Sequence, residues 1–159
     1  MLWSLAAASI AGATALGLYA CVAWTWWLAP FIVFGAFIVA AYNLELGGGL
    51  FHDAVWFSLA WGAFPVLATY FAAAETIRVE AVLGAAFAAL LSHAQRRLST
   101  PVRLVRRRAR EVTGTIELID GSTIPITLET LTAESERALR ALSAATVCIA
   151  LALVLLRVT

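Results

Sequence analysis

No aspartate, glutamate, lysine or arginine occurs between Met1 and Leu44. A soluble domain needs a charged face over such a length. The stretch is instead long enough to cross a bilayer twice, at about 20 residues per helix. Lysine is absent throughout, all 11 basic residues being arginine. A phosphate-cradling P-loop therefore has no lysine here, and the glycine run at Leu46 to Leu50 (LGGGL) also lacks its Ser or Thr. That run reads as a connector between spans. Cysteine is limited to Cys21 and Cys148, each alone in an apolar segment. With no CxxC pair they read as small buried hydrophobes, without a disulfide or a metal site. Charged residues make up only 13% of the chain, where a soluble protein carries about 25%.

What remains is apolar. Hydrophobic residues reach 62% and the mean hydropathy is +0.89, against about 45–50% apolar residues in soluble chains. A domain of this size has too little interior to hide that surplus, so the composition predicts a polytopic membrane protein. The fold class expected is all-α, a transmembrane helical bundle of about five spans. The spans run from about Leu2 to Ala23, Leu28 to Leu46, Ala54 to Ala73, Ile77 to Ala94 and Ala138 to Leu156. The first is not a signal peptide, since it lacks a positive start and runs on too far. Pro30 falls in the first turn of the second span, where a missing N–H is tolerated. Pro65 falls in the middle of the third and predicts a kink. Trp24, Trp26 and Trp27 mark one interface, Trp3, Tyr42 and Trp56 the opposite one, and Tyr70 the far end of the third span. Ala8 with Gly12, Ala13 with Gly17, and Gly84 with Ala88 have the spacing of small residues that lets helices approach closely.

Seven arginines crowd residues 96–110, at 96, 97, 103, 106, 107, 108 and 110. Placing this loop in the cytoplasm satisfies the positive-inside rule. The N-terminus and the loop from Gly47 to Asp53 are then inside, and the turns near Trp26 and Glu75 outside. The C-terminus with Arg157 is outside as well. Between Glu111 and Glu129, alternating apolar residues split by Asp120-Gly121 predict a short cytosolic β-hairpin with a type I′ turn, Pro125 restricting one arm. Two strands alone are marginal in water, so this segment is the expected place for a protein partner. Thr132 or Ser135 is the expected cap of the last helix. The chain thus divides into membrane helices one to four (1–95), an Arg-rich loop with hairpin (96–135) and helix five (136–159). Nucleic-acid binding is not expected, because no soluble module carries a basic face. The expected partners are membrane lipids.

The polar residues expected at the cytoplasmic mouth include Glu45, His52, Asp53, Ser92 and Gln95. The candidate lipid or diphosphate ligands are Tyr42, Asn43, His93, Arg96, Arg97 and Arg103. Arginine pairs bidentately with phosphate, so an anionic or phosphorylated lipid is the ligand class. The competing reading is that the arginines only fix topology and attract headgroups without specificity, and that His93 snorkels to the interface.

The text AYNLELGGGLFHDAVWFSLAWGAFPVLATYFAA from Ala41 to Ala73, with QRRLSTPVRL at Gln95 to Leu104, resembles the core of UbiA-type intramembrane prenyltransferases over about residues 31–103. The resemblance implies a helical bundle with a cytoplasm-facing cavity. In that family two aspartate-rich motifs hold Mg²⁺ against a prenyl diphosphate, since a polyanionic leaving group needs hard cations and these need several carboxylates. This chain has two aspartates, Asp53 and Asp120, and neither motif. LLSHAQ at Leu90 to Gln95 stands where the second would precede the arginines. Either the chain continues upstream with a further motif, or it is a degenerate relative; the second is favoured, because the region for that motif is present. The expected function is a noncatalytic membrane protein handling a polyisoprenoid or anionic lipid, with no cofactor. Mg²⁺ would enter only in a prenyltransferase. The alternative is a small membrane scaffold or accessory subunit that docks a partner through the hairpin.

Overall fold

Nothing charged interrupts the first helix, α1 (Leu2–Ala23). Its hydroxyls cause no difficulty in an apolar setting, because Ser9 and Thr14 donate to the carbonyls of Leu5 and Ile10 one turn back. Thr25 then caps a single 3₁₀ turn, Trp26–Leu28, through the Trp27 N–H. The chain reverses into α2 (Ala29–Asn43), with Pro30 in its first turn as expected. The tryptophans of this turn, Trp24, Trp26 and Trp27, are all exposed. The structure is a computed structural model that describes residues 2–158, with side chains over 4–156; Trp3 and Arg157, named above, fall outside the described side chains.

The third helix, α3 (Ala54–Ala74), starts at Asp53, whose carboxylate accepts the Trp56 N–H at 2.7 Å. Its middle is a π-helical turn, Leu59–Ala63, directly before Pro65. Proline has no N–H for the carbonyl of residue 61 and its ring crowds that carbonyl. The widened turn relieves the crowding, with the Phe64 N–H bonding to Leu59 O, five residues back. The expected kink thus takes the form of a π-bulge. The α3 helix ends at Glu75, which adopts a left-handed φ of 52°.

The fourth helix, α4 (Val79–Arg108), runs 30 residues. The arginine run expected as a loop is helical through Arg108. Two short strands follow, β1 (Thr115–Glu117) and β2 (Thr123–Pro125), antiparallel with Ile116 opposite Ile124. Their connection is not type I′. Gly121 N–H bonds to Leu118 O, Leu118 N–H bonds to Ser122 O, and only Gly121, at φ 82°, is left-handed. The loop is therefore Ile119-Asp120-Gly121 with a glycine bulge. Asp120 does not take a left-handed φ, and its carboxylate accepts the Ser122 N–H and Oγ–H, at 2.9 and 2.6 Å.

The last helix, α5 (Leu128–Val158), begins ten residues before the expected span. Its cap is neither Thr132 nor Ser135. Thr127 Oγ1 accepts the Thr130 N–H at 3.1 Å, and Thr130 Oγ1 accepts the Thr127 N–H at 2.8 Å, a reciprocal capping box. Thr132 is buried instead and donates to Leu128 O.

The fold is all-α with one hairpin, in two compact units, Met1–His93 and Ala94–Thr159. Among the described residues, four helical segments are long and apolar enough to cross a membrane: Ser4–Ala23, Trp26–Asn43, Ala54–Ala74 and Leu128–Leu156. This is a membrane protein. The expected span from Ile77 to Ala94 lies in α4, which is not one of the four. Glu80 stands in its first turn, and Ser92, His93, Gln95 and the arginines follow.

Within the first unit, α1 meets α2 at Gly17, where a Cβ would lie 2.8 Å from the Ile32 side chain. An aromatic seam joins α2 to α3, with Phe31 stacked on Phe71 and Phe34 tilted against Phe64, both at 5.0 Å. The α3 and α4 helices touch backbone to backbone at Gly62, whose Cβ would lie 2.6 Å from Ala88 O. Gly84 also faces α3, at Val66. Two of the three expected small-residue pairs therefore sit at helix contacts. Gly12, of the third, faces open space.

Candidate functional site

The chain leaves α2 through a left-handed turn. Glu45, Gly47, Gly48 and Gly49 all have positive φ, which three glycines make inexpensive. Gly49 N–H bonds to Glu45 O, and His52 N–H bonds to Gly49 O. This reversal lays the His52 ring on Tyr42, with centroids 4.3 Å apart. His52 Nδ1 lies 3.0 Å from the Tyr42 carbonyl. A carbonyl only accepts, so Nδ1 carries the hydrogen in this contact. On its other side Tyr42 packs against Trp61 at 4.6 Å, and Trp61 stacks on Phe57 at 5.6 Å. The connector expected at Leu46 to Leu50 thus closes an aromatic cluster.

Beside that cluster runs an apolar groove of about 440 Å³ between α1, α2 and α3. Ala13 and Thr14 form its α1 wall, Phe31 and Val39 lie on α2, and Ala60 and Trp61 come from the π-helical turn. The Thr14 hydroxyl donates to Ile10 O, so the walls are almost wholly apolar. Trp61 belongs to both the groove and the aromatic cluster. Val39 lines the groove, and its carbonyl accepts from Asn43 Nδ2 at 2.8 Å. Tyr42 thus adjoins the groove through Trp61, and Asn43 lies one turn of α2 beyond the groove residue Val39.

His93 lies elsewhere in the first unit. Its Nδ1 is 3.4 Å from Ser58 Oγ, and Ser58 donates to Ala54 O at 2.6 Å. The Ser58 hydrogen is thereby used, so His93 Nδ1–H is the donor to Ser58. The Phe57, Ser58 and Trp61 side chains of one α3 stretch thus meet Tyr42 and His93 separately. Phe57 and Trp61 were not singled out from sequence. The available signal was a tryptophan four residues before a mid-span proline, far from the interface where tryptophan usually resides.

Arg96, Arg97 and Arg103 belong to the second unit, all on α4. The Arg96 carbonyl accepts from Ser99 and Thr100, and Arg103 donates to Thr100 Oγ1 at 3.4 Å. Arg97 is exposed. Further along, Arg106 pairs with Glu136 of α5 at 2.5 Å, and that hydrogen bond raises the Arg106 pKa above its ordinary value. A polar cleft of about 480 Å³ opens beside this pair.

The Mg²⁺ implied by the resemblance finds no donor set. Asp53 caps α3 and Asp120 closes the hairpin loop. Among the described residues no three His, Cys, Asp or Glu side chains gather to hold a metal ion. Compared with protein-family models, curated proteins and solved structures, the chain has no match.

Proposed function

We propose that this chain is a multi-pass membrane protein that holds the apolar chain of a lipid, with polyisoprenoids as the favoured class, without chemically altering it. The groove between α1, α2 and α3 carries this reading. Its volume of about 440 Å³ lies within the roughly 300–1,000 Å³ of small-molecule sites. Its walls are mostly apolar, and Tyr42, which packs against the groove residue Trp61, belongs to the neighbouring aromatic cluster. The likeness to a UbiA-type core over about residues 31–103 is part of the proposal, with the family's two aspartate motifs missing from this chain. In topology, the N-terminus and the arginine-rich end of α4 are cytoplasmic, α4 crosses the membrane with its apolar half, and the C-terminus is outside.

The test uses full-length protein in neutral detergent and native mass spectrometry, with geranylgeraniol and geranylgeranyl diphosphate as probes. Ala36→Phe fills the groove and is expected to weaken binding of both at least tenfold, whereas Gly12→Ala, facing open space, leaves it unchanged. Binding that survives Ala36→Phe, or wild-type protein that retains neither probe, sinks the groove reading.

One observation favours a second reading, a scaffold. Ile119 at the hairpin tip is fully exposed, and the cross-strand pair Ile116 and Ile124 is open to solvent. Deleting residues 111–129 is then expected to release a co-purifying protein. An unchanged complex excludes that role.

A further inference from the structure

We propose that the polar cleft between the C-terminal end of α4 and the first turns of α5 is a binding site for the phosphate of an anionic membrane lipid, with Arg140 as its principal ligand. The proposal rests on α5 crossing the membrane and is independent of what the groove binds.

The first argument is length. Arg140 is the last charged residue of α5 before Arg157. Residues 141–156 rise about 24 Å as a helix, less than the roughly 30 Å of hydrocarbon that a span must cross. Arg140 therefore lies at the level of the lipid phosphates or slightly beneath them. A guanidinium at that depth needs a counter-charge, and its stem lets it reach outward.

The second argument is what the protein leaves it. Glu136, one turn away, is engaged by Arg106 at 2.5 Å. Arg137 is paired with Glu134 at 2.7 Å. Arg140 makes no hydrogen bond or ion pair among the described residues; its one nearby carboxylate in the cleft, Glu136, feels its charge but is bonded to Arg106, and Arg140 lines the cleft with Arg106 and Arg137. The cleft's other carboxylate, Glu129, is 11 residues from Arg140, about 16 Å along the helix, beyond the roughly 8–10 Å over which exposed charges act at physiological salt. Thr132 offers nothing, its hydroxyl being bonded to Leu128 O. The upper cleft is thus cationic, and guanidinium geometry suits phosphate oxygens.

The third argument is access. Every described side chain from Ser143 to Leu156 is exposed, so acyl chains can lie along α5 directly above Arg140.

Full-length protein is taken into neutral detergent and titrated with phosphatidylglycerol or phosphatidylcholine, and retained lipid is counted by native mass spectrometry. Wild type is expected to prefer phosphatidylglycerol. Arg140→Gln should weaken that binding at least tenfold, and Arg140→Lys, which keeps charge without the fork, should weaken it less. Arg110→Gln carries the same charge change outside the cleft and should leave binding intact. Equal loss in Arg140→Gln and Arg110→Gln, or no preference in wild type, overturns the site. Inorganic phosphate that displaces the lipid assigns recognition to the phosphate from either source; failure to displace assigns it to the lipid-anchored form.

Discussion

Gly62 and Gly12 show how one residue type can be indispensable or idle. A Cβ at Gly62 would sit 2.6 Å from Ala88 O and 2.8 Å from Ala89 Cα, both backbone atoms that cannot step aside. Gly62→Leu is expected to destabilise the protein by about 1–3 kcal/mol or more through overpacking, read as a lowered Tm in detergent. Gly12→Ala meets nothing within 4 Å and should be neutral or raise stability by up to about 1 kcal/mol. Sequence spacing alone could not separate the two, because Gly12 stands four residues from Ala8 and Gly62 four from Ser58, both small residues; only the neighbouring backbone does. Asp120 gives a pH prediction at the same scale. Hydrogen bonds from Ser122 hold its pKa below the ordinary 3.8. Its folded-state pKa is depressed, so its contribution to the hairpin is present above 3.8 and is lost as pH falls through the depressed value. Amide exchange at Ser122 is expected to accelerate over that acid range. Ser122→Ala keeps the backbone hydrogen bond but loses the hydroxyl, and should begin that acceleration at a higher pH.

Among the elements, helices were legible wherever apolar text ran unbroken: α1, α2 and α3 fall within about three residues of their expected limits. Pro65 announced a distortion, but the sequence did not say whether the helix would bend or widen. The widening turns on the Phe64 N–H reaching Leu59 O. Pro65→Ala restores the missing donor and lets residues 59–63 rewind as α-helix, which re-aims Trp61 away from the groove. Stability is expected to hold or rise while geranylgeraniol binding falls, measured on the same detergent preparation. The polar text TAESERALR was expected to open the last helix from a cap at Thr132 or Ser135, but the helix already starts at Leu128. In fact Thr127 and Thr130 cap each other, and helical text precedes the membrane. Thr127→Ala should cost about 1 kcal/mol and fray the first turn of α5, visible as faster exchange at Thr130. The candidate site was half legible. Tyr42 and Asn43 were named, whereas Phe57, Trp61 and the groove depend on how three helices meet.

For the whole molecule, membrane residence followed from composition, and span number is the quantity that fixes sidedness. Four qualifying segments and a fifth crossing by the apolar half of α4 would place opposite ends of the chain on different sides, so topology is measurable at one position. In a Cys21→Ser/Cys148→Ser background, Ser122→Cys is expected to resist an impermeant thiol reagent in intact cells and to react after permeabilisation; labelling from outside reverses the proposed orientation. The last helix has a mechanical consequence. It contains neither glycine nor proline from Leu128 to Val158, and its 31 residues extend about 46 Å, roughly 15 Å more than the hydrocarbon it crosses. Its capping box follows the end of β2 after one residue. The hairpin is joined to a stiff rod by only Ile126 and Thr127, and a pull or torque that this short link carries is delivered to the bilayer interior as tilt or rotation of the span.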